Sequence, residues 1–362
     1  MQLTKKDATT DSDALIAVRE GEELDLKILH EYLREKLTGT EGALAARQFG
    51  GGHANLTYLL QFGAADNPVE YVLRRPPIGP VAKTAHDMGR EYRALSSLYK
   101  AFPPAPRAYL YCDDPSVIGA PFFVMERRHG IVVRREVPPI FGGGTDPVAN
   151  EKLSQVVIDP LVAFHGVDPA ACGLQDIGKP EGFLERQVKG WTARYERAKT
   201  AEVPRADELS RWLLDNLPKS PKPTLLHNDW RLDNMAVAPD DPGHCVAVYD
   251  WDMCTLGDPL TDVGTVFCLW ADPGETFTGA SPMPTQTPGW LKRDEGIQRY
   301  AEQSGRDISS LPYYIVFGTF KVAVVLQQIY HRYHIGQTKD DRFSGFNAMA
   351  GVLFDLAAER RP

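Results

Sequence analysis

The sequence predicts an α+β fold in two lobes, a small antiparallel sheet with one packed helix followed by a larger, mainly helical part. Three observations predict it. Short, turn-bounded runs such as LTYLLQF (56–62) and VEYVLRR (69–75) crowd the first part of the chain. From about residue 150 the pattern changes to long amphipathic stretches, at 151–165, 182–199, 205–216 and 313–335. One clear strand pair interrupts them, NMAVAPD (234–240) with CVAVYDW (245–251), joined by a turn around Pro242 and Gly243. With 362 residues the chain can bury more than one core. The expected division is a disordered or loosely attached start (1–22), a first lobe (23–126) and a second lobe (127–362). The join should lie near 126–131, with a cleft between the lobes.

Taken in order, Leu26, Ile28, Leu29, Tyr32 and Leu33 mark a first amphipathic helix. A glycine cluster, GGGHAN (50–55), leads into the strand at 56–62, and the turn-rich GAADNP connects it to the strand at 69–75. In that second strand Val69, Tyr71 and Leu73 share one face, and Val72 and Arg74 the other. Pro76, Pro77 and Pro80 end it. A helix from about Ala82 to Ala101 follows, with Met88, Glu91, Leu95 and Leu98 on one stripe. A further strand pair is expected at AYLYC (108–112) and PFFVMER (121–127), and FGGGT (141–145) reads as a flexible loop. The apolar run at 313–330 carries Lys321 and two glutamines, so it reads as a buried helix, too short and too polar to span a bilayer. His331 and His334 lack a third ligand for a metal site.

Composition narrows the function classes. The formal net charge of −8 gives no support to a nucleic-acid partner. The five cysteines are odd in number and form no C-x-x-C pair, which fits reduced thiols. The polar N-terminus has no apolar core of signal-peptide type, so a soluble, cytoplasmic protein without a membrane partner is expected. Oligomeric state is not legible.

The chemistry concentrates in LLHNDWRLDN (225–234). His227, Asp229 and Asn234 have the order H-x-D-x-x-x-x-N, the spacing of a kinase catalytic loop. A short loop can present a base and a metal ligand to one phosphoryl group only if they lie a few residues apart. Taken alone, the order suits a solvated Asp- and Asn-rich loop equally well. The residues beyond the loop shift the balance: Asn234 opens a strand, and its partner strand VAVYD ends its apolar run at Asp250. That is where a second magnesium ligand belongs, and Asn with Asp supplies the oxygen donors a hard cation wants.

With these residues in view, the chain resembles the aminoglycoside phosphotransferase and choline kinase family, which has a bilobal protein-kinase-like fold. It is most similar to the branch found as the N-terminal domain of some acyl-CoA dehydrogenase family proteins. The resemblance rests on GGHANLTYLL, YVLRRPP, REYRAL, FFVMER, HNDWRLDN and YDWDMCTLGDPLTDVG, spread over residues 51–264. It implies ATP and Mg2+ as cofactors, with Asp229 as catalytic base and Asn234 and Asp250 as metal ligands, Asp252 assisting. Backbone amides around Gly51, Gly52 and His53 would cover the phosphates, and backbone groups of Met125, Glu126 and Arg127 would meet the adenine. His227 and Asp262 would brace the catalytic loop.

Two departures stand out. Arg74 fills the place of the kinase lysine, and can still fork onto phosphate oxygens and pair with Glu91. Glu91 sits on an apolar stripe, where an acid without a partner is costly. The glycine loop also lacks the full G-x-G-x-x-G pattern, which implies a looser phosphate grip. Asn228 stands where protein kinases carry arginine, and no APE-type segment follows Asp250, which favours a small-molecule acceptor. The run RRHGIVVRRE (127–136) could meet an anionic substrate such as a hydroxyacyl-CoA, or be a solvated basic loop. An antibiotic kinase and a non-catalytic nucleotide-binding module are the alternatives.

Overall fold

The computed structural model describes residues 15–50, 55–64, 66–78, 87–201, 203–275 and 283–362. In chain order these form β1 (Leu15–Ile16), α1 (Leu26–Leu33), β2 (Leu44–Phe49), β3 (Leu56–Phe62), β4 (Val69–Arg75) and α2 (Met88–Leu98). Then come β5 (Ala108–Cys112), α3 (Pro115–Ile118), β6 (Phe122–Glu126), α4 (Pro147–His165), α5 (Phe183–Ala198) and α6 (Pro204–Asp215). The remainder is β7 (Thr224–Leu226), β8 (Met235–Ala238), β9 (Asp241–Val248), β10 (Thr255–Gly257), α7 (Leu260–Cys268), α8 (Arg293–Ser304), α9 (Leu311–His334) and α10 (Phe346–Glu359).

The chain folds into two compact units that no single cut separates. The first comprises residues up to Gly143 together with 169–177 and 232–254; the second takes the rest. A reading along the sequence draws one boundary after residue 126, because the return of a later segment to an earlier core leaves no local mark.

In the first unit the strands form an antiparallel sheet in the order β1-β2-β3-β4-β6-β5. Tyr58, Leu60 and Phe62 of β3, Leu73 of β4 and Phe122 and Val124 of β6 pack with Leu29 and Leu33 of α1 into one buried core. Asp25 starts α1 by accepting from the N–H groups of Lys27 and Ile28, each at 3.0 Å, and Asp87 starts α2 by accepting from Arg90 N–H at 3.0 Å. The sequence reading has four of the six strands. It misses β2, and it misses β1, whose Leu15 and Ile16 pair with Phe49 and Gln48. Arg19 N–H also donates to Gln48 Oε1 at 3.0 Å, so the later part of the expected loose start is held at the sheet edge.

The β8–β9 hairpin belongs to this unit too. Ile131 and Val237 exchange backbone hydrogen bonds of 2.8 and 3.0 Å, and Val248 N–H donates to Pro104 at 2.9 Å. Gly130 permits that approach: a Cβ there would lie 2.5 Å from Val246 Cγ2 and 2.9 Å from Ala236 Cβ. The expected flexible FGGGT loop is instead a tight turn, with Gly142, Gly143 and Gly144 all at positive φ.

The second unit is mainly helical. Asp146 caps α4 and Pro147 opens it, the residue type whose fixed φ suits a first turn. Helix α9 packs on α5, α7 and α10, and a Cβ on Gly264 would lie 2.4 Å from the Tyr314 carbonyl oxygen, so α7 and α9 meet almost backbone to backbone. A second strand pair, β7 with β10, was not expected from the sequence. Its three-residue strands, TLL and TLG, are wholly buried and too short to show a period.

Candidate active site

The predicted site residues fall into two groups. Arg74, Glu91, Asn234, Asp250 and Asp252 lie in the first unit; His227, Asp229 and Asp262 lie in the second.

In the first unit Arg74 leaves β4 on the face opposite Tyr71 and Leu73, and Glu91 approaches from the first turn of α2. Arg74 Nε lies 3.0 Å from Glu91 Oε2, close enough for an ion pair though not aligned as a hydrogen bond. A second guanidinium nitrogen of Arg74 pairs with Asp250 Oδ1. Only 1% of Glu91 is exposed. Burial pushes its carboxyl up to about 7; Asp250 and Asp252 add to the rise, while Arg74 and a backbone hydrogen bond from Trp251 oppose it. The shift matches a site with one arginine facing three acids.

Asp250 directly follows the hairpin, where Tyr249 N–H donates to the Asn234 carbonyl at 2.8 Å. Its φ of +66° is left-handed. Apart from glycines, only one other described residue shares that conformation, Asn228 at +67°. The two lie in the two motifs that carry the chemistry in the sequence. Trp251 is fully buried against Phe102, and its indole N–H donates to the Val248 carbonyl at 2.7 Å, which fixes the turn that carries Asp252. Arg90, beside Glu91 on α2, donates to the carbonyls of Cys254 at 2.8 Å and Ile177 at 3.0 Å.

The donors at the hairpin end are all oxygens, from Asn234, Asp250 and Asp252. No group of three or more His, Cys, Asp or Glu among the described residues could hold a metal alone. Mg2+ needs no such cage, since it is typically bound by one or two carboxylates together with substrate phosphates and water. The donor set therefore fits Mg2+.

In the second unit β7 delivers the chain into the loop at 227–231. Asp262, fully buried in the first turn of α7, accepts the backbone N–H of His227 on Oδ2 and that of Asn228 on Oδ1, both at 2.7 Å. His165 Nε2 lies 3.4 Å from Asp262 Oδ2, and its Nδ1 lies 2.8 Å from the Tyr300 hydroxyl. Burial would raise the Asp262 carboxyl, but hydrogen bonds from His165 and the His227 N–H and the charges of both histidines outweigh it, leaving Asp262 below its ordinary value. Burial holds His165 below its own. The charge thus rests on Asp262, where it holds two loop N–H groups.

Asp229 N–H donates to His227 Nδ1 at 3.3 Å, and Arg231 Nε lies 3.5 Å from Asp229 Oδ2. Trp230, which the sequence leaves without a role, is fully buried: it stacks on Phe164 and donates its indole N–H to the Val157 carbonyl at 2.8 Å. It anchors the loop from below. Only the apolar neighbours Leu225 and Leu226 hint at this in the sequence.

Of the remaining candidates, Gly51, Gly52 and His53 lie outside the described residues. Met125 and Glu126 close β6, paired with Val72 and Tyr71 of β4. The Glu126 N–H is already used, donating to the Arg107 carbonyl at 2.8 Å. Arg127 stacks on Phe49 and lies 3.9 Å from Glu70, and Arg128 pairs with Glu126 at 3.0 Å. Arg134 and Arg135 are exposed. The basic run is thus partly engaged within the unit.

The sequence pattern of the phosphotransferase enzyme family matches residues 45–299. The chain belongs to that family. Among its relatives, acyl-CoA dehydrogenase family member 11 of Gallus gallus is 32% identical over 357 residues, covering 94% of this chain and 44% of that protein. Family member 10 of Mus musculus is 32% identical over 335 residues, covering 91% of this chain and 30% of that protein. The chain therefore spans less than half the length of these relatives. A crystal structure from Ralstonia eutropha, described as a candidate aminoglycoside phosphotransferase, superposes with a TM-score of 0.78 at 28% identity, covering 94% of this chain and all of that one (100%). A choline kinase from Cryptosporidium parvum shares the fold at a TM-score of 0.59 and 11% identity, over 93% and 95% of the two chains. The phosphotransferase family and the kinase-like α+β fold read from the sequence are those of this chain.

Proposed function

We propose that this phosphotransferase-family chain is an ATP- and Mg2+-dependent kinase that phosphorylates a hydroxyl of a small molecule. The observation that carries the reading is the run of ion pairs Glu91–Arg74–Asp250, which passes from the buried Glu91 to the partly exposed Asp250. Burying one cation among acids is poor value for stability alone. It is well suited to holding a guanidinium fork ready for phosphate oxygens and a carboxylate ready for a metal.

In this reading Arg74, oriented by Glu91, binds α/β-phosphate oxygens. Asn234 and Asp250 would hold Mg2+, with Asp252 assisting. Bound there, the ion would neutralise charge on the transferring group. Asp229 accepts the acceptor's hydroxyl proton while that oxygen bonds to the γ-phosphorus and the bond from phosphorus to the β–γ bridging oxygen breaks. Asp262 and Trp230 keep the loop in place throughout. A hydroxyacyl-CoA acceptor draws little support from the 127–136 run, since Arg127 and Arg128 have acid partners. A non-catalytic module would be expected to have lost the base or a metal ligand, and the sequence keeps Asp229, Asn234 and Asp250.

The test is ATP consumption over a pooled set of hydroxylated metabolites and aminoglycosides. Asp229→Asn should retain Mg-ATP binding and lose about 10²–10⁴-fold in turnover. Asp250→Ala should lose the magnesium dependence of nucleotide binding. Wild-type turnover by Asp229→Asn would refute the assignment.

A further inference from the structure

In the second unit two cationic side chains gather around one indole, and among the described residues neither has a carboxylate partner. Lys321, on α9, is 6% exposed, yet among the described residues its Nζ meets only the Thr265 hydroxyl, at 3.4 Å, and the faces of Trp191 and Phe317, at 5.6 and 5.9 Å. Arg194, on α5, lays its guanidinium 4.3 Å from the Trp191 ring centre. The indole N–H of Trp191 is itself buried without a hydrogen-bond partner among the described residues. Neither cation has a carboxylate within ion-pair distance among the described residues. This contrasts with Arg74, Arg299 and Arg293, which all do.

The cluster lies within electrostatic reach of the proposed base. Asp262 and Asp229 both act on the Lys321 ammonium, which burial and Arg194 disfavour. Asp262 does not neutralise it at contact, because its oxygens already serve His227, Asn228 and His165. Asp229 has Arg231 beside it. A buried ammonium and an orphan indole N–H beside a half-buried guanidinium leave donors unanswered, which costs stability, and more for a charged group than for a neutral one. An oxyanion would answer all three, whereas a polycation would be repelled.

We propose that Lys321, Arg194 and Trp191 form the acceptor-specificity site, binding an oxyanion carried by the hydroxylated substrate. The assignment rests on the kinase reading for the identity of the ligand as acceptor, but binding itself can be tested without catalysis. The expected acceptor is a hydroxy acid or a phosphorylated alcohol; a cationic amino sugar or amino alcohol should bind poorly.

The experiment titrates the full chain by calorimetry with 3-hydroxybutyrate, 6-hydroxyhexanoate and glycerol 3-phosphate, and with the two methyl esters and glycerol as neutral counterparts. The same compounds then serve as acceptors in the ATP-consumption assay. Wild type should bind at least one anionic probe ten-fold or more tightly than its neutral counterpart. Lys321→Met and Trp191→Phe should remove most of that preference, and Lys321→Arg should restore part of it. The phenylalanine variant changes little volume and guards against a failure of the methionine variant to fold. Preference among the probes separates a carboxylate site from a phosphate site. Equal affinity for charged and neutral probes, no binding of any anionic probe, or an unchanged preference in both variants would overturn the proposal. Charge-selective binding without ATP consumption would uphold the site and overturn the kinase reading instead.

Discussion

Glu91 shows how burial and charge set opposing demands on one residue. Its folded carboxyl titrates near 7 against an ordinary 4.5, with burial the largest cause. The folded chain therefore binds this proton more tightly than the unfolded chain does. Stability from this group is greatest below about 4.5 and is lost as pH rises to about 7, beyond which no more is lost. Nucleotide binding should run the other way, because only the ionised carboxylate orients Arg74 strongly. Glu91→Gln keeps the shape and cannot titrate. Its melting temperature should fall less than that of wild type between pH 5 and 7.5, and its ATP affinity should lose the rise near pH 7. Parallel melting curves across that range would show that Glu91 does not carry this titration.

At the scale of elements, α2 is the part that organises the candidate site residues of the first unit. Glu91 holds the sheet residue Arg74, and the neighbouring Arg90 holds the turn after Asp250 through the Cys254 carbonyl and the 169–177 segment through Ile177. Consecutive helical residues point in different directions, so one helix can fix both. Arg90→Met would leave two carbonyls without their donor. Denaturant unfolding should show a loss of about 1–3 kcal/mol, and KM for ATP should rise in the same variant because the turn bearing Asp252 loosens. No change in either quantity would show that α2 does not hold the turn.

The stripe Met88, Glu91, Leu95, Leu98 was legible because it repeats at helical spacing, and β3 and β4 were legible because proline and turn residues bound them. What period cannot report is what a buried position touches. The burial of Lys321 follows from its place on an apolar helix, but its setting beside Trp191 comes from α5, more than a hundred residues earlier. Trp230 has no role legible in the sequence for the same reason. The strands β7 and β10 escaped because three buried residues have no alternation to read.

For the whole molecule, the discontinuity of the first unit has a consequence for folding. Its sheet and α2 are continuous in sequence, but the surfaces they bury are completed by residues 232–254. Phe102 packs on Trp251, Pro104 accepts from Val248, Ile131 pairs with Val237, and Arg74 reaches Asp250. A fragment ending at residue 143 would expose the Phe102 face and leave Arg74 and Glu91 with only each other, while Gly130 and Ile131 would lose the hairpin they fit against. Unsatisfied backbone groups and bare apolar surface together should exceed the few kcal/mol by which a domain of this size is stable. The fragment 1–143 should therefore bind a hydrophobic dye and melt without a cooperative transition. Joining 169–177 and 232–254 to it through flexible linkers should restore a cooperative melt, because the missing contacts lie within the unit. A cooperative transition in the shorter fragment at the temperature of the linked one would mean that the sheet and α2 carry their own stability, and that the hairpin is retained for chemistry alone.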